Sequence, residues 1–194
     1  MSERDPEHLL PWRVLGSELV LDNRWARVRK DSCALPDGGL IPDYYYWEGG
    51  DFAIVFALTA EQEVLLVRQY RHGAREITIE LPAGLVDTEG ESPLQAAQRE
   101  LLEETGYSGG EWKLLRPIHV STGKSTTQAF VFLARGLRRE GPQQLEDGED
   151  VEVMTRPLKE FATLVTNGAI HDAPSLAAAF LAMQVLQGES ALSA

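Results

Sequence analysis

An acidic cluster at positions 100–104 contains the residues with the clearest chemical potential in this chain. The run from 99 to 106 reads Arg-Glu-Leu-Leu-Glu-Glu-Thr-Gly. On a helix, residues three and four positions apart lie on one face, so Glu100, Glu103 and Glu104 would project together. Carboxylates this close repel one another, whereas Mg²⁺ binds through oxygen ligands of this kind. The cluster therefore predicts a divalent cation site; the alternative is the solvated acidic face of a glutamate-rich helix.

The helix that would carry these glutamates has a recognisable start and end. The run Ser92–Gln95 combines an N-cap serine, a proline at the first helical position and the glutamine of a capping box. Leu94, Ala97 and Leu101 follow at helical spacing, and we expect them to face the core. Gly106 is the residue type that ends a helix in the left-handed conformation. The spacing predicts a helix between these two signals.

The elements around this helix read as strands and two further helices. Short apolar or alternating runs over residues 12–81 predict strands, among them one that starts at Trp25, and the run from Leu35 to Gly39 predicts a hairpin turn. In the last of these strands, Ile77 and Ile79 alternate with Thr78 and Glu80. We expect the isoleucines to face the core and Glu80 to face the other side. Later strands are predicted near 112–120, 128–134 and 151–154, with helices from about 158 and 172, which together indicate an α/β sandwich.

Composition limits the classes of function. The chain has 194 residues, 18 Lys+Arg and 30 Asp+Glu, so its formal net charge of -12 argues against nonspecific binding of nucleic acid. Cys33 is the single cysteine, which excludes an internal disulfide and fits a reducing compartment. The charged N-terminus lacks the apolar segment of a signal peptide, and no apolar run is long enough to span a membrane. We therefore expect a cytoplasmic protein without nucleic-acid or membrane partners.

The segment from Gly84 to Tyr107 resembles the Nudix box, G-x5-E-x7-R-E-U-x-E-E-x-G-U, in which U is a bulky apolar residue. Six residues rather than five separate Gly84 from Glu91, so either Glu91 or Glu89 could take the first glutamate position. The resemblance implies a Nudix α/β/α sandwich with an added N-terminal antiparallel β-sheet. It places the added strands at 1–50 and the catalytic domain at 51–194. The remaining matches are Arg99, Glu100, Leu101, Glu103, Glu104, Gly106 and, loosely, Tyr107.

The same resemblance implies roles for the residues of the box. Glu100 and Glu104 are the expected ligands of Mg²⁺, with Mn²⁺ as a substitute ion. Glu103, which is also a candidate catalytic residue, and the carbonyl of Ala83 are further ligands. Arg99 is expected to pair with a nearby carboxylate and to orient the loop before the helix. Gly84, Glu91 and Arg99 support the box.

Flanking sequence is similar to the ADP-ribose pyrophosphatase branch of the family. The similar runs are 67–71, 80–87, 147–153 and 168–173. Through that resemblance Arg71 and Glu80 are expected to bind substrate, and Trp25 and Tyr44, on N-terminal strands, to stack a nucleobase. Glu149, in the acidic loop 141–150, is the candidate catalytic base. The alternatives are a surface salt bridge for Arg71, core packing for the two aromatics and a solvated acidic loop for Glu149.

The expected reaction is Mg²⁺-dependent hydrolysis of the diphosphate bond of ADP-ribose or a related nucleoside diphosphate sugar, giving a nucleoside monophosphate and a sugar phosphate. The resemblance also implies a homodimer built through the N-terminal strands. Thr122 stands where many ADP-ribose hydrolases have proline, so GDP-mannose, another nucleoside diphosphate sugar or a dinucleoside polyphosphate remains an alternative substrate. A noncatalytic nucleotide-binding regulatory module is the distant alternative, which the intact glutamate cluster disfavours.

Overall fold

The structure is a computed structural model, and it describes residues 9–145 and 148–192. Glu146 and Asp147, two carboxylates of the acidic loop, lie outside the described residues. The described chain divides into two compact units. The first contains residues 9–49 and 121–127, and the second contains residues 50–120 and 128–192.

The first unit is a three-stranded antiparallel sheet. Its strands are β1 (Arg13–Asn23), β2 (Ala26–Ala34) and β3 (Leu40–Trp47), in the order β1-β2-β3. The predicted hairpin turn between β2 and β3 is confirmed, since the Gly38 N–H donates to the Leu35 carbonyl at 3.1 Å. Gly38 has φ 86°, a conformation that glycine adopts without strain. Residues 121–127 join this sheet, because the Trp47 N–H donates to the Lys124 carbonyl at 2.8 Å.

The second unit contains an eight-stranded mixed sheet and three helices. The elements are β4 (Phe52–Thr59), β5 (Glu63–Arg71), β6 (Glu76–Glu80), β7 (Ala83–Leu85), α1 (Pro93–Thr105), β8 (Tyr107–Ser108), β9 (Glu111–His119), β10 (Gln128–Arg139), β11 (Val151–Pro157), α2 (Leu158–Thr166) and α3 (Ala173–Leu192). The central strand order is β11-β5-β4-β10-β8, with β6 paired to β5, β7 to β4 and β9 to β10. Strands β4 and β10 run parallel, and the other named pairs are antiparallel.

Strand β4 explains why the helices lie on both faces of this sheet. Ile54 and Phe56 belong to a buried cluster with Phe161 of α2 and with alanines of α3. The alternate residues Ala53, Val55 and Ala57 belong to a second cluster with Ala97 and Leu101 of α1. A strand covered on both faces is apolar at every position rather than at every second one. The predicted α/β/α sandwich with an added N-terminal antiparallel sheet is therefore confirmed.

Helix α1 begins and ends as predicted. Ser92 accepts a hydrogen bond from the Gln95 N–H, and the Gln95 side chain accepts one from the Ser92 N–H, which completes the capping box. Gly106 ends the helix with φ 74°. The expectation that Leu94 faces the core was wrong, because this residue is exposed. It lies in the first turn, whereas the helix reaches the sheet from Ala96 onward.

The predicted orientation of β6 holds for Ile79, which packs against the core, but was wrong for Ile77. Ile77 is 63% exposed, while Thr78 and Glu80 are only 4% and 7% exposed. The polar side chains are buried because they hydrogen-bond each other and Arg71, which offsets the cost of removing them from water. Trp25 is not on a strand either. It lies in the turn between β1 and β2, where the Asn23 side chain accepts the N–H of Trp25 at 2.9 Å.

Two short strands were not predicted. Strands β7 and β8 have three and two residues, which is too short for an alternating pattern to be read. Strand β10 continues five residues beyond its predicted end, to Arg139. Within the described residues, the structure has no helix long and apolar enough to cross a membrane.

Candidate catalytic site

Gly84 allows the acidic helix to approach the sheet closely. It is the middle residue of β7, which pairs with β4, and it faces Glu100 of α1. A Cβ atom at position 84 would lie 1.9 Å from Cδ and 2.3 Å from Cγ of Glu100. Only glycine leaves room for the carboxylate against the strand. The close approach of α1 to β7 therefore depends on a glycine at position 84.

Arg99 ties the acidic helix to the loop before it. Its Nε and Nη2 atoms donate to the two carboxylate oxygens of Glu91 at 3.0 and 3.1 Å. Nη1 donates to Glu100 at 2.8 Å and to Glu103 at 3.1 Å, and Nη2 also donates to the Leu85 carbonyl at 3.1 Å. The hydrogen bond with Glu91 is the main reason why the pKa of Arg99 is raised above its ordinary value. One guanidinium thus orients three carboxylates and the carbonyl at the end of β7.

Of the two candidates for the first glutamate of the box, Glu91 is the one that contacts Arg99. The hydrogen bonds from Arg99 hold the pKa of Glu91 below its ordinary value. Glu89 is exposed. The additional residue of the loop is accommodated in a turn, in which the Glu91 N–H donates to the Thr88 carbonyl at 3.0 Å and Gly90 has φ 79°. The longer loop therefore keeps the glutamate against the arginine.

Glu104 is a buried carboxylate with little compensation for its charge. It is 6% exposed and accepts a hydrogen bond from the Ala83 N–H at 3.3 Å. Burial, followed by the charges of Glu100 and Glu149, raises the pKa of Glu104 to about 8. Burial also raises the pKa of Glu100, against the opposing effect of Arg99. Among the described residues, no basic side chain lies within ion-pair distance of Glu104, although the charge of Arg71 opposes the rise in its pKa.

The donor set suits a hard divalent cation. Mg²⁺ is usually held by one or two carboxylates together with water and substrate phosphates, so it does not require a complete protein cage. The described part of the chain contains no group of three His, Cys, Asp or Glu residues already arranged to hold a metal. Arg99 engages Glu100 and Glu103 itself. Glu104, Glu100 and the Ala83 carbonyl are the oxygen donors that fit such an ion.

A cavity of about 290 Å³ adjoins this cluster at Ala83 and Gly84. Arg71, the last residue of β5, and Glu80, the last residue of β6, both line it. The Nε atom of Arg71 lies 3.0 and 3.1 Å from the two oxygens of Glu80, and Nη2 lies 2.5 Å from one of them. Burial opposes ionisation of Glu80, but hydrogen bonds from Arg71 and Thr78 lower its pKa. The pair is therefore a charged, hydrogen-bonded wall of the cavity.

Asp172 also lines the cavity and was not recognised as a site residue from the sequence. Its Oδ2 atom accepts the Ser175 N–H at 2.9 Å, as expected at the start of α3. Its Oδ1 atom is buried and has no hydrogen-bond partner among the described residues. The sequence offered a signal only for the helix start, at Asp172-Ala173-Pro174. A helix-start signal does not predict that the aspartate lines a cavity.

The remaining residues predicted to act at the site are Glu149, Trp25 and Tyr44. Glu149 is exposed just before β11, and its charge acts on both Glu100 and Glu104. Trp25 is 80% exposed in the first unit. Tyr44 is in the same unit, on β3; its hydroxyl donates to the Gly123 carbonyl at 2.5 Å, and Lys124 Nζ lies 5.3 Å from the ring centroid. Glu149 is thus electrostatically linked to the acidic cluster.

Comparison with known proteins identifies the family. The model of the NUDIX domain matches residues 50–179, and the model of the nucleoside diphosphate sugar hydrolase N-terminal domain matches residues 12–47. The first match covers more than half of the chain. The chain therefore belongs to the NUDIX family and is a Nudix hydrolase.

Individual relatives cover nearly the whole chain. An ADP-ribose pyrophosphatase of Mycobacterium tuberculosis is 32% identical over 189 residues, covering 97% of this chain and 88% of the relative. An ADP-ribose pyrophosphatase of Bacillus subtilis is 35% identical over 183 residues, covering 94% and 96%. A solved structure described as an ADP compounds hydrolase has a TM-score of 0.84 at 22% identity, covering 94% of this chain and 97% of that one, which supports the fold.

A Gly84→Ala variant should remain folded but lose hydrolase activity. The added methyl group would displace the Glu100 carboxylate, which is the flexible end of a side chain. We expect a change of about 1 kcal/mol in the free energy of unfolding. We expect a fall of about 10²-fold in kcat/KM, as is typical when a functional group moves by about 1 Å. Denaturant unfolding and initial rates measure the two quantities.

Gly73→Ala is the matched control, since a Cβ atom there meets nothing within 4 Å. If Gly84→Ala were as active as this control, the close contact between Gly84 and Glu100 would have no role in activity.

Proposed function

We propose that this protein hydrolyses the diphosphate bond of ADP-ribose or a related nucleoside diphosphate sugar in a Mg²⁺-dependent reaction. The products are a nucleoside monophosphate and a sugar phosphate. The observation that carries the proposal is the buried Glu104 carboxylate beside Glu100, which has no ion-pair partner in the described part of the chain and adjoins a cavity lined by Arg71. The two relatives that are ADP-ribose pyrophosphatases support the choice of substrate.

Glu100 and Glu104 hold the metal in this proposal, with Glu103 and the Ala83 carbonyl as further ligands. When bound, Mg²⁺, or Mn²⁺ in its place, neutralises the diphosphate and lowers the pKa of the attacking water. Arg99 keeps Glu100 and Glu103 oriented before the metal binds. Gly84 and Glu91 support this arrangement from the strand and the loop.

Arg71 binds the substrate diphosphate. Its hydrogen bonds to Glu80 use Nε and Nη2, so the N–H groups of Nη1 can donate to a phosphate oxygen. Charge-assisted bonds of this kind are roughly twice as strong as neutral ones. Glu80 keeps the guanidinium at the wall of the cavity. The salt bridge considered for Arg71 is therefore compatible with a role in binding.

Glu149 takes a proton from the attacking water, and Glu103 assists at the same centre. Glu149 is exposed, so it can reach water, and its charge is felt by both expected metal ligands. A base near the metal is required because water is a weak nucleophile until it loses a proton. The neighbouring carboxylates of the loop make this the residue of the proposal that most needs a test.

The N-terminal domain, residues 1–50, forms a homodimer and contributes Trp25 and Tyr44 to nucleobase stacking, while residues 51–194 form the catalytic domain. Support for the dimer comes from the first unit, whose large apolar side chains are unusually exposed. Scattered exposed apolar residues are normal, but a concentration of them marks an interface. They are Trp12, Val14, Leu15, Val20, Leu21, Leu40, Tyr45 and Trp47.

GDP-mannose, or another nucleoside diphosphate sugar, is the second candidate substrate. A GDP-mannose pyrophosphatase of Enterobacter is 30% identical over 140 residues, covering 68% of this chain. Thr122, in place of the proline expected of many ADP-ribose hydrolases, favours this alternative. Dinucleoside polyphosphates are a further alternative substrate class and should be assayed alongside these sugars. The noncatalytic module is disfavoured by the complete glutamate cluster.

A substrate panel with a Glu104→Gln variant tests the function. The wild type should hydrolyse ADP-ribose or a related nucleoside diphosphate sugar with Mg²⁺ and should lose activity in EDTA. Glu104→Gln keeps the hydrogen bond from Ala83 but cannot ionise to bind a cation, so it should melt no lower than the wild type in EDTA while its turnover falls by orders of magnitude. Chromatography of the products and thermal melts measure these effects.

Glu160→Gln is the control, because this glutamate is exposed on α2, away from the box. Wild-type turnover by Glu104→Gln at saturating Mg²⁺ would remove Glu104 from the metal site. Activity of the wild type in EDTA would refute the metal dependence itself.

Substitutions of Glu149 and of Arg71 should affect different steady-state parameters. A group that acts only in the transition state lowers kcat and kcat/KM together, whereas a group that binds the substrate throughout mainly raises KM. Glu149→Gln should therefore lower kcat by about 10²–10⁴-fold, the range for loss of a general base. Arg71→Ala should mainly raise KM. The control is Arg68→Ala, on the same strand, which removes a surface pair with Glu152.

A kcat for Glu149→Gln within about threefold of the wild type would move the search for a base to Glu146 or Glu152.

A Val20→Asp variant tests the dimer. Val20 is exposed on β1, and a buried, unpaired carboxylate in an interface is costly. The wild type should sediment as a dimer and the variant as a monomer. Phe180→Asp places the same charge on an exposed site of α3 and should leave the dimer intact. A monomeric wild type, or a dimeric Val20→Asp variant, would contradict the proposed interface.

A further inference from the structure

A buried threonine stands behind the charged pair that lines the cavity. Thr78 is 4% exposed in the middle of β6. Its Oγ1 atom lies 2.6 Å from Oε1 of Glu80 and 3.3 Å from the Gln69 carbonyl. A hydroxyl group has a single proton to donate, and the shorter distance assigns it to the Glu80 carboxylate. The threonine therefore makes a short, charge-assisted hydrogen bond inside the protein.

The Glu80 carboxylate is fully engaged by side chains of this chain. One oxygen receives Thr78 Oγ1 and Arg71 Nε, and the other receives Arg71 Nε and Nη2. With both oxygens occupied, Glu80 acts on the cavity by holding Arg71 rather than by offering a free acceptor. Its own orientation depends on Thr78, the donor that approaches from its own strand.

The strand register places the three side chains on one face. Gln69 pairs with Thr78 and Val67 pairs with Glu80 in the antiparallel ladder of β5 and β6. Side chains two positions apart on a strand share a face, so Arg71, Thr78 and Glu80 project together. Arg71 must extend past Thr78 to reach Glu80. A long side chain that is 47% exposed would otherwise sample many rotamers.

We propose that Thr78 is a positioning residue for substrate binding, because its hydroxyl fixes Glu80 and Glu80 in turn fixes the guanidinium of Arg71. The inference rests on the proposed binding of the substrate diphosphate by Arg71. It assigns a function to a buried strand residue that is not among the expected metal ligands. It also explains why a polar pair faces inward on β6 while Ile77 faces solvent.

Thr78→Val tests the inference, since valine has nearly the same shape and lacks the hydroxyl. With Mg²⁺ and ADP-ribose or the sugar nucleotide that the panel selects, we expect KM to rise about tenfold, a factor equivalent to one lost hydrogen bond to a charged group. We expect kcat to change by less than about twofold, because the chemical step does not involve Arg71. Thr78→Ser, which restores the hydroxyl, should return KM to the wild-type value.

Thr155→Val is the matched control, because it removes a threonine hydroxyl from β11, which pairs with the other edge of β5 and does not line the cavity. It should leave KM unchanged. Thermal melts of all variants report folding, and Thr78→Ala replaces the valine variant if the latter does not fold.

The Arg71→Ala background separates this inference from the proposed function. If Thr78 acts through Arg71, the valine substitution should have no further effect on KM once the guanidinium is absent. A normal KM for Arg71→Ala would overturn the role of Arg71 itself. A raised KM for Arg71→Ala with a normal KM for Thr78→Val would overturn only the role of Thr78. An effect of Thr78→Val that persists in the Arg71→Ala background, or that falls on kcat alone, would do the same.

Discussion

The hydrogen bonds of Arg99 are the interaction on which the rest of the site depends. Without this guanidinium, the carboxylates of Glu91, Glu100 and Glu103 would lie close together beside β7 with no cation pairing them. The sandwich fold supplies the surroundings. The β4 strand is covered on both faces, and it fixes β7 by pairing with it. Gly84 then admits Glu100 to the strand. The packed core therefore positions the carboxylates, and Arg99 offsets their mutual repulsion.

Two arginines of the second unit are each held by a carboxylate, but their environments differ. Arg99 donates to carboxylates of the box and to the Leu85 carbonyl, so its hydrogen bonds stabilise the protein. Arg71 donates to Glu80 through two of its nitrogens and lines a cavity, so it can also bind a ligand. In the proposed function this separates metal binding from substrate binding. Glu104 is coupled to both systems, because the charges of Glu100 and Arg71 shift its pKa in opposite directions.

The sequence was informative where an outcome is decided by neighbours along the chain. The capping box at Ser92 and the end of α1 at Gly106 follow from local hydrogen bonds, and the structure has both. The turn at Gly38 follows from backbone preference and is present too. Helical spacing also gathered Glu100 and Glu104 on one face. Such features depend on a few consecutive residues, so a single sequence can specify them.

What the sequence missed is decided by partners that are distant along the chain. The side chains of β6 do alternate, but Thr78 and Glu80 are buried because Glu80 pairs with Arg71, nine positions away along the chain. Leu94 has helical spacing, yet its turn lies beyond the reach of the sheet. The place of Asp172 in the cavity lining depends on how α3 meets the strands. An apolar pattern fixes how a strand alternates; the polar network it meets determines which side turns inward.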